Sequence, residues 1–219
     1  MIQFVTMWAE FLFGMGMAFT AVGQPGSLQA FYISQALALG WRRTVLAALA
    51  PVLSDGPIIA FVLVVLTNLP AWVLSFIQIG GGLFILYLGV GAGRALRQKW
   101  QAQEGENAAA MSTTFTSPWQ VLGKAITMNF LNPNPYIVWG TILGPRLLKA
   151  WATSPAQAIA LLLGFYITFI TGLVLFIILF GKTGQISPRL NHILSVLAII
   201  ALLLFGLYQL ITGLFTLLA

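Results

Sequence analysis

The chain contains no cysteine, which removes disulfides, thiolate metal sites and cysteine nucleophiles from consideration. A single histidine, His192, leaves no second imidazole with which to share a metal ion, and no metal centre is expected. Charge is scarcer still: 6% of the 219 side chains are charged, against about a quarter in a soluble domain. A surface so poor in charge faces hydrocarbon rather than water, so the chain reads as an all-α polytopic membrane protein whose first partner is the lipid bilayer. Ten Lys and Arg against four Asp and Glu give a net charge of +6. No basic run with interleaved aromatics accompanies it, which excludes nucleic-acid binding. Gly181, Lys182 and Thr183 resemble the end of a phosphate-binding loop, but Phe176 stands where that motif needs its first Gly. No nucleotide or other cofactor is expected. Paired acids and a Ser-His couple at plausible spacing are also missing, so the chain does not read as an enzyme.

What remains is long apolar runs punctuated by proline, glycine and basic residues. A bilayer core of about 30 Å takes about 20 apolar residues per helix. Division at the polar breaks gives six spans: Phe4 to Leu39, Thr44 to Leu66, Ala71 to Ala95, Pro118 to Leu143, Ala156 to Phe180 and Arg189 to Leu217. Residues 99–117 are rich in Gln, Glu, Gly, Asn and Ser and read as a polar linker between 1–98 and 118–219. Arg42, Arg43, Arg94, Arg97, Lys99, Lys124, Lys182 and Arg189 fall on one side of this stack, and Arg146 and Lys149 on the other. Basic residues resist translocation, so the richer side is cytoplasmic and both termini are expected outside. No Lys or Arg precedes Arg42, so the first segment reads as a span rather than a cleavable signal.

Three helices per half is an odd number, so a duplicated unit must be inverted relative to its copy. Gly23, Gln24, Pro25 and Gly26 interrupt the first helix of one half; Asn132, Pro133, Asn134 and Pro135 interrupt the first helix of the other. The expected architecture is six transmembrane helices as two inverted three-helix repeats, with broken first and fourth helices. Breaks of this kind are tolerated where protein or a wet cavity satisfies the freed backbone groups, and they mark transport sites. Simple packing kinks are the alternative.

Several local patterns recur together: Pro25 and Gly26 followed by Gly40, Trp41, Arg42 and Arg43; Ser54, Asp55 and Gly56 midway along the second helix; Leu86 to Gly89 at the end of the third; and Asn129 to Pro133. On these the chain resembles the LysE-type (lysine exporter) translocators, small bacterial exporters of amino acids and related solutes. Ser27 replaces the second Pro that commonly follows Pro25 and Gly26, and Ser54 replaces the Gly that commonly precedes the Asp. The resemblance implies a bacterial-type inner-membrane location and a small-molecule substrate.

Asp55 lies twelve positions from Arg43, about 18 Å along a helix, near the bilayer midplane. A carboxylate there must pair, titrate or bind a cation, which makes it the candidate for proton coupling and substrate binding. An Asp that merely satisfies a helix break is the bland alternative. Pro51 and Pro57 lack an N–H, so the carbonyls of Ala47 and Leu53 are left open. Helices that restart inside the membrane present free amides at their first turn, so Gln24, Pro25, Gly26 and Ser27 at one break and Asn132, Pro133 and Asn134 at the other are the remaining substrate-binding candidates. Asn134 before Pro135 is read as the cap of the second restart. The amides are expected to face a carboxylate, with Asp55 and the carbonyls ending the preceding half-helices facing an ammonium. Gln24, Ser27, Phe31 and Ser34 share a helix face along a path toward the cytoplasm, and Gln78, Asn129, Thr168, Thr171, Tyr136 and Trp139 are further interior candidates for which packing is the competing role. Glu10 reads as an interface residue. Gly82, Gly89 and Gly93 share a face that permits close helix contact and a homodimer.

The expected activity is secondary export of a small solute, an amino acid or derivative, by alternating access with proton coupling through Asp55. A channel or ion exporter on the same fold, or a noncatalytic membrane subunit, are the other readings.

Overall fold

A computed structural model describes residues 2–24, 26–65, 71–104, 117–186 and 188–218. Among the described residues every regular element is helical. In chain order they are α1 (Ile2–Gly23), α2 (Ser27–Leu39), α3 (Trp41–Thr44), a 3-10 turn (Val45–Leu49), α4 (Ala50–Val65), α5 (Ala71–Glu104), α6 (Pro118–Phe130), α7 (Pro133–Val138), a π-helical stretch (Trp139–Leu143), α8 (Gly144–Thr153), α9 (Pro155–Ile186) and α10 (Pro188–Leu218). Among the described residues five stretches are long and apolar enough to cross a membrane: Phe4–Gly23, Trp41–Val64, Ser75–Gln98, Pro155–Thr183 and Arg189–Leu218. The chain is a polytopic membrane protein.

The boundaries depart from the sequence expectations in informative places. α1 has 22 residues, about 33 Å of helix, so it reaches across a bilayer core before the Gly23–Gly26 break. α5 continues through Glu104, nine residues beyond the expected Ala95. The segment expected to end at Leu143 continues to Thr153, but in pieces too short to qualify singly as spans: α6 stops at Phe130, α7 restarts at Pro133, and the ladder widens to π geometry before α8. Arg146 and Lys149, expected in a loop, therefore sit on α8, and Ser154 alone separates α8 from α9. Pro25, the connection 67–70 and linker residues 105–116 lie outside the described residues.

Small residues set the helix contacts, as they must where lipid is as apolar as the side chains and close backbone approach supplies the packing. α1 lies along α9, with Gly14 on the Leu161 carbonyl and Gly172 on Val22. Trp41 reaches Gly181, so the first helical segment and α9 run in the same direction. α5 pairs with α10 in the opposite sense, Gly82 meeting Gly206 and Leu210 while Gly89 meets Leu203. The small-residue face of α5 is thus used within the chain. α4 follows the 118–153 segment in parallel, Val62 packing near Gly140 and Leu63 near Gly144. An ion pair joins the two halves: Arg146 grips Glu10 through two N–H groups at 2.8 and 3.2 Å, and its guanidinium sits 3.8 Å from the Phe13 ring centroid.

The α1–α9 seam yields a direct test. A Cβ on Gly164 would collide with the carbonyl of Phe11, whereas Gly16, on the same α1 but facing away, has open space. Gly164→Ala is expected to cost at least about 1–3 kcal/mol as overpacking and to lower the unfolding temperature of the purified protein. Gly16→Ala should leave it unchanged or slightly higher, because Ala is the better helix former. Equal behaviour of the two variants would remove this seam from the packing account.

Candidate functional site

The site is built where prolines interrupt three helical segments and neighbouring side chains take over the backbone's lost hydrogen bonds. Pro51 has no N–H for the Ala47 carbonyl, which accepts instead from the Ala50 N–H at the end of the 3-10 turn and from the buried Tyr32 hydroxyl, the latter at 2.9 Å. Four residues before Pro25 in the sequence, the Ala21 carbonyl accepts from Gln29 Nε2 at 3.0 Å. Pro135 has no N–H for Leu131, whose carbonyl accepts from Gln209 Nε2 at 2.7 Å. The neighbouring Phe130 carbonyl accepts from the Tyr136 hydroxyl at 2.9 Å. The carbonyls of Ala21, Phe130 and Leu131, at the ends of the half-helices before the two breaks and so among those expected to hold an ammonium, each already accept from a side chain. Burying them without partners would cost about 1–3 kcal/mol each, which is the reason the glutamines are there.

The second restart is capped differently from the expectation. Asn132, not Asn134, is the cap: its Oδ1 accepts from the Asn134 amide at 3.0 Å, with Pro133 in the first turn. At the first restart, Gly26 is the cap residue and offers no side chain, so no side chain caps the first turn of α2.

Asp55 is 3% exposed. The neighbouring Ser54 turns its hydroxyl back onto the Ala50 carbonyl at 2.7 Å. Asn129, from the end of α6, donates to Ser54 Oγ at 2.7 Å and to Asp55 Oδ1 at 2.9 Å. From α9, the Tyr166 hydroxyl donates to Oδ2 at 3.3 Å, and the Trp139 indole faces the same carboxylate. Trp139 belongs to the π-helical stretch, a geometry frequent at functional sites, and its ring stacks on Tyr166 with centroids 6.4 Å apart. Among the described residues no Lys or Arg pairs with Asp55. Its ligands are neutral donors alone, which position the carboxylate and leave its charge available to a cation or proton. Tyr166 lies near the middle of the Pro155–Thr183 span, so Asp55 meets α9 well inside the membrane.

A cavity of about 410 Å³ opens on this group, within the volume range of small-molecule sites. Gln24, Gly26 and Ser27 of the first break and Asn132, Pro133 and Asn134 of the second line it together with Asp55. Pro25 lies outside the described residues. Gln78, Asn129 and Trp139 also line the cavity, and the Gln78 Oε1 is a buried acceptor with no partner among the described residues. Thr168 and Thr171 do not reach it, Phe31 is fully buried, and Ser34 lines a separate cavity. Sequence reasoning took Gln29 only for its backbone amide and missed its side chain, and it missed Gln209 and Tyr166 altogether. Gln29 was within reach, since it follows Pro25 by one helical turn; Gln209 and Tyr166 come from helices remote in sequence.

Among the described residues no group of three His, Cys, Asp or Glu is placed to hold a metal. No curated protein and no solved structure matches the chain. The sequence pattern of the LysE type translocator family matches residues 18–213, which takes in both helix breaks, Asp55 and Asn129. The chain belongs to the LysE type translocator family, membrane transport proteins for amino acids or similar solutes.

Proposed function

We propose that the protein is a secondary transporter that exports an amino acid or a derivative of one by alternating access, with Asp55 as both the ammonium ligand and the proton-coupling group. The observation that carries this reading is a single cavity lined by a buried acid and by both helix breaks. The uncapped first turn of α2 offers the amides of Ser27, Leu28 and Gln29, and helix N-termini favour anions. Asp55 and the unpartnered Gln78 Oε1 offer acceptors to a cation. A zwitterion has one end for each.

The moving parts in this reading are two inverted three-helix repeats, 1–98 and 118–219, joined by the polar linker 99–117, whose first residues extend α5 to Glu104, with the broken 118–153 segment as the fourth of six crossings. The packing supports it. Exchange of the first helix with the fourth, the second with the fifth and the third with the sixth turns the parallel α1–α9 pair into the parallel pairing of the 118–153 segment with α4. The same exchange returns the antiparallel α5–α10 pair to itself. A pseudo-twofold axis in the membrane plane generates that pattern, and rocking about it exposes a central site alternately. The basic-residue distribution orients the chain in an inner membrane with both termini outside.

Inside-out vesicles test the reading with a panel of amino acids and an imposed pH gradient, acid inside. The expected result is saturable accumulation of at least one amino acid that collapses when the gradient is dissipated. Flux that ignores the gradient and does not saturate would make the protein a channel, and no flux of any panel member would overturn the exporter.

A further inference from the structure

A second cavity, about 590 Å³, lies in the other half of the bundle. It is enclosed by α2, α5, α6 and α10, and its polar lining is Ser34, Gln35, Arg94, Lys124, Asn191 and Ser195. Each of its helices also passes the first cavity, in the same order of depth. On α2, Gln29 lines the first and Ser34 the second; on α5, Gln78 and Tyr87; on the 118–153 segment, Asn129 and Lys124; on α10, Phe205 and Ile199. Between these positions stand Phe31, Ile85, Met128 and Leu202, each at most 1% exposed and all members of one packed cluster. The two cavities are therefore stacked along a common axis with one apolar layer between them.

The charge of the second cavity is one-signed. Among the described residues Arg94 and Lys124 line it, no acid does, and neither cation has an acidic partner. Ser34 and Ser195, at 4% and 6% exposure, add hydroxyls to its polar lining, bonded to the Phe31 carbonyl and to Asn191 Oδ1. Two unneutralised cations in a polar lining select a small anion, and low-dielectric walls focus their field into the opening. We propose that this cavity is the cytoplasmic antechamber for the exported solute, drawing in its carboxylate through Arg94 and Lys124 before the Phe31–Ile85–Met128–Leu202 layer parts. This rests on the exporter reading for the identity of the solute and on the proposed orientation for its side of the membrane.

Because the chain has no cysteine, one introduced thiol reports the cavity alone. Ala92 lines it and is half-buried. Ala92→Cys in inside-out vesicles is treated with membrane-impermeant methanethiosulfonates bearing either a sulfonate or a trimethylammonium group. Relative to a small free thiol, the sulfonate reagent is expected to gain at least about tenfold over the cationic one, the low end of electrostatic focusing. Arg94→Gln combined with Lys124→Gln should abolish the gain. Gln35→Cys repeats the measurement from α2 if the first variant folds poorly. Neither thiol reacting from the cytoplasmic face would overturn the proposal, as would a ratio no higher than that of the free thiol. A gain present in phosphatidylcholine nanodiscs and lost in nanodiscs containing phosphatidylglycerol would also overturn it, assigning the cations to a lipid headgroup. Labelling requires no transport, so its failure leaves the exporter reading to the uptake assay, and the reverse holds equally.

Discussion

Asp55→Asn is expected to reduce gradient-driven uptake into inside-out vesicles by roughly ten- to a hundredfold while leaving the amount of folded protein unchanged. The substitution keeps the shape of the side chain. Its Oδ1 still accepts from Asn129, and the Tyr166 hydroxyl, which now donates to Oδ2, can accept from the new amide instead. What disappears is the negative charge, and with it a charge-assisted hydrogen bond to a bound ammonium worth about 1.5–3 kcal/mol, each 1.4 kcal/mol being a factor of ten. The residual uptake should also lose its dependence on the imposed pH gradient, because the amide binds no proton. Initial rates at matched protein content, with and without the gradient, measure both effects. Equal accumulation by parent and variant would take Asp55 out of the mechanism and leave it as a bracket between α4, α6 and α9.

That bracket also shows where sequence stops being informative. Asp55 stood out because an acid amid apolar residues costs free energy wherever it sits, and the cost is local. Of its partners, Asn129 and Trp139 are interior candidates for which packing is the competing role, and Tyr166 does not stand out. Asn129 and Tyr166 are 74 and 111 positions away, and nothing in the composition of α6 or α9 says which polar residue turns inward. The end of the 118–153 segment failed for a related reason. Gly144, Pro145, Arg146 and Lys149 read as a loop because charge and proline end most membrane helices. Pro145 instead falls in the first turn of α8, where its missing N–H costs little. The Arg146 charge is met by Glu10, 136 residues earlier. The carbonyl bonds from Gln29 and Gln209 follow one rule, a proline freeing the carbonyl four residues before it. The rule names the orphan each time but identifies the donor only when that donor is a neighbour, as Gln29 is and Gln209 is not.

Removing Asn129 carries the largest expected loss of stability, because one amide serves two buried acceptors from another helical segment. Asn129→Ala would leave Asp55 with Tyr166 and Trp139 as its remaining donors and strip the Ser54 hydroxyl of an incoming bond. Taking a donor from a buried charged acceptor costs about 1–3 kcal/mol or more, read as a fall in unfolding temperature in detergent or as a lower denaturant midpoint. Much of that loss belongs to the charge left behind rather than to the contact removed, and the two can be separated. Asp55→Asn placed on top of Asn129→Ala discharges the carboxylate, so the double variant should be more stable than Asn129→Ala alone even though it carries one more substitution. Simple additivity between the two changes, measured as a double-mutant cycle, would mean that Asn129 spaces α6 from α4 without attending to the charge. Coupling of about 1 kcal/mol or more, within the range for residues sharing one network, would mean that the chain holds Asp55 ionised inside the membrane by design of its neighbours. Under alternating access that is the state in which the empty site must wait for a cation.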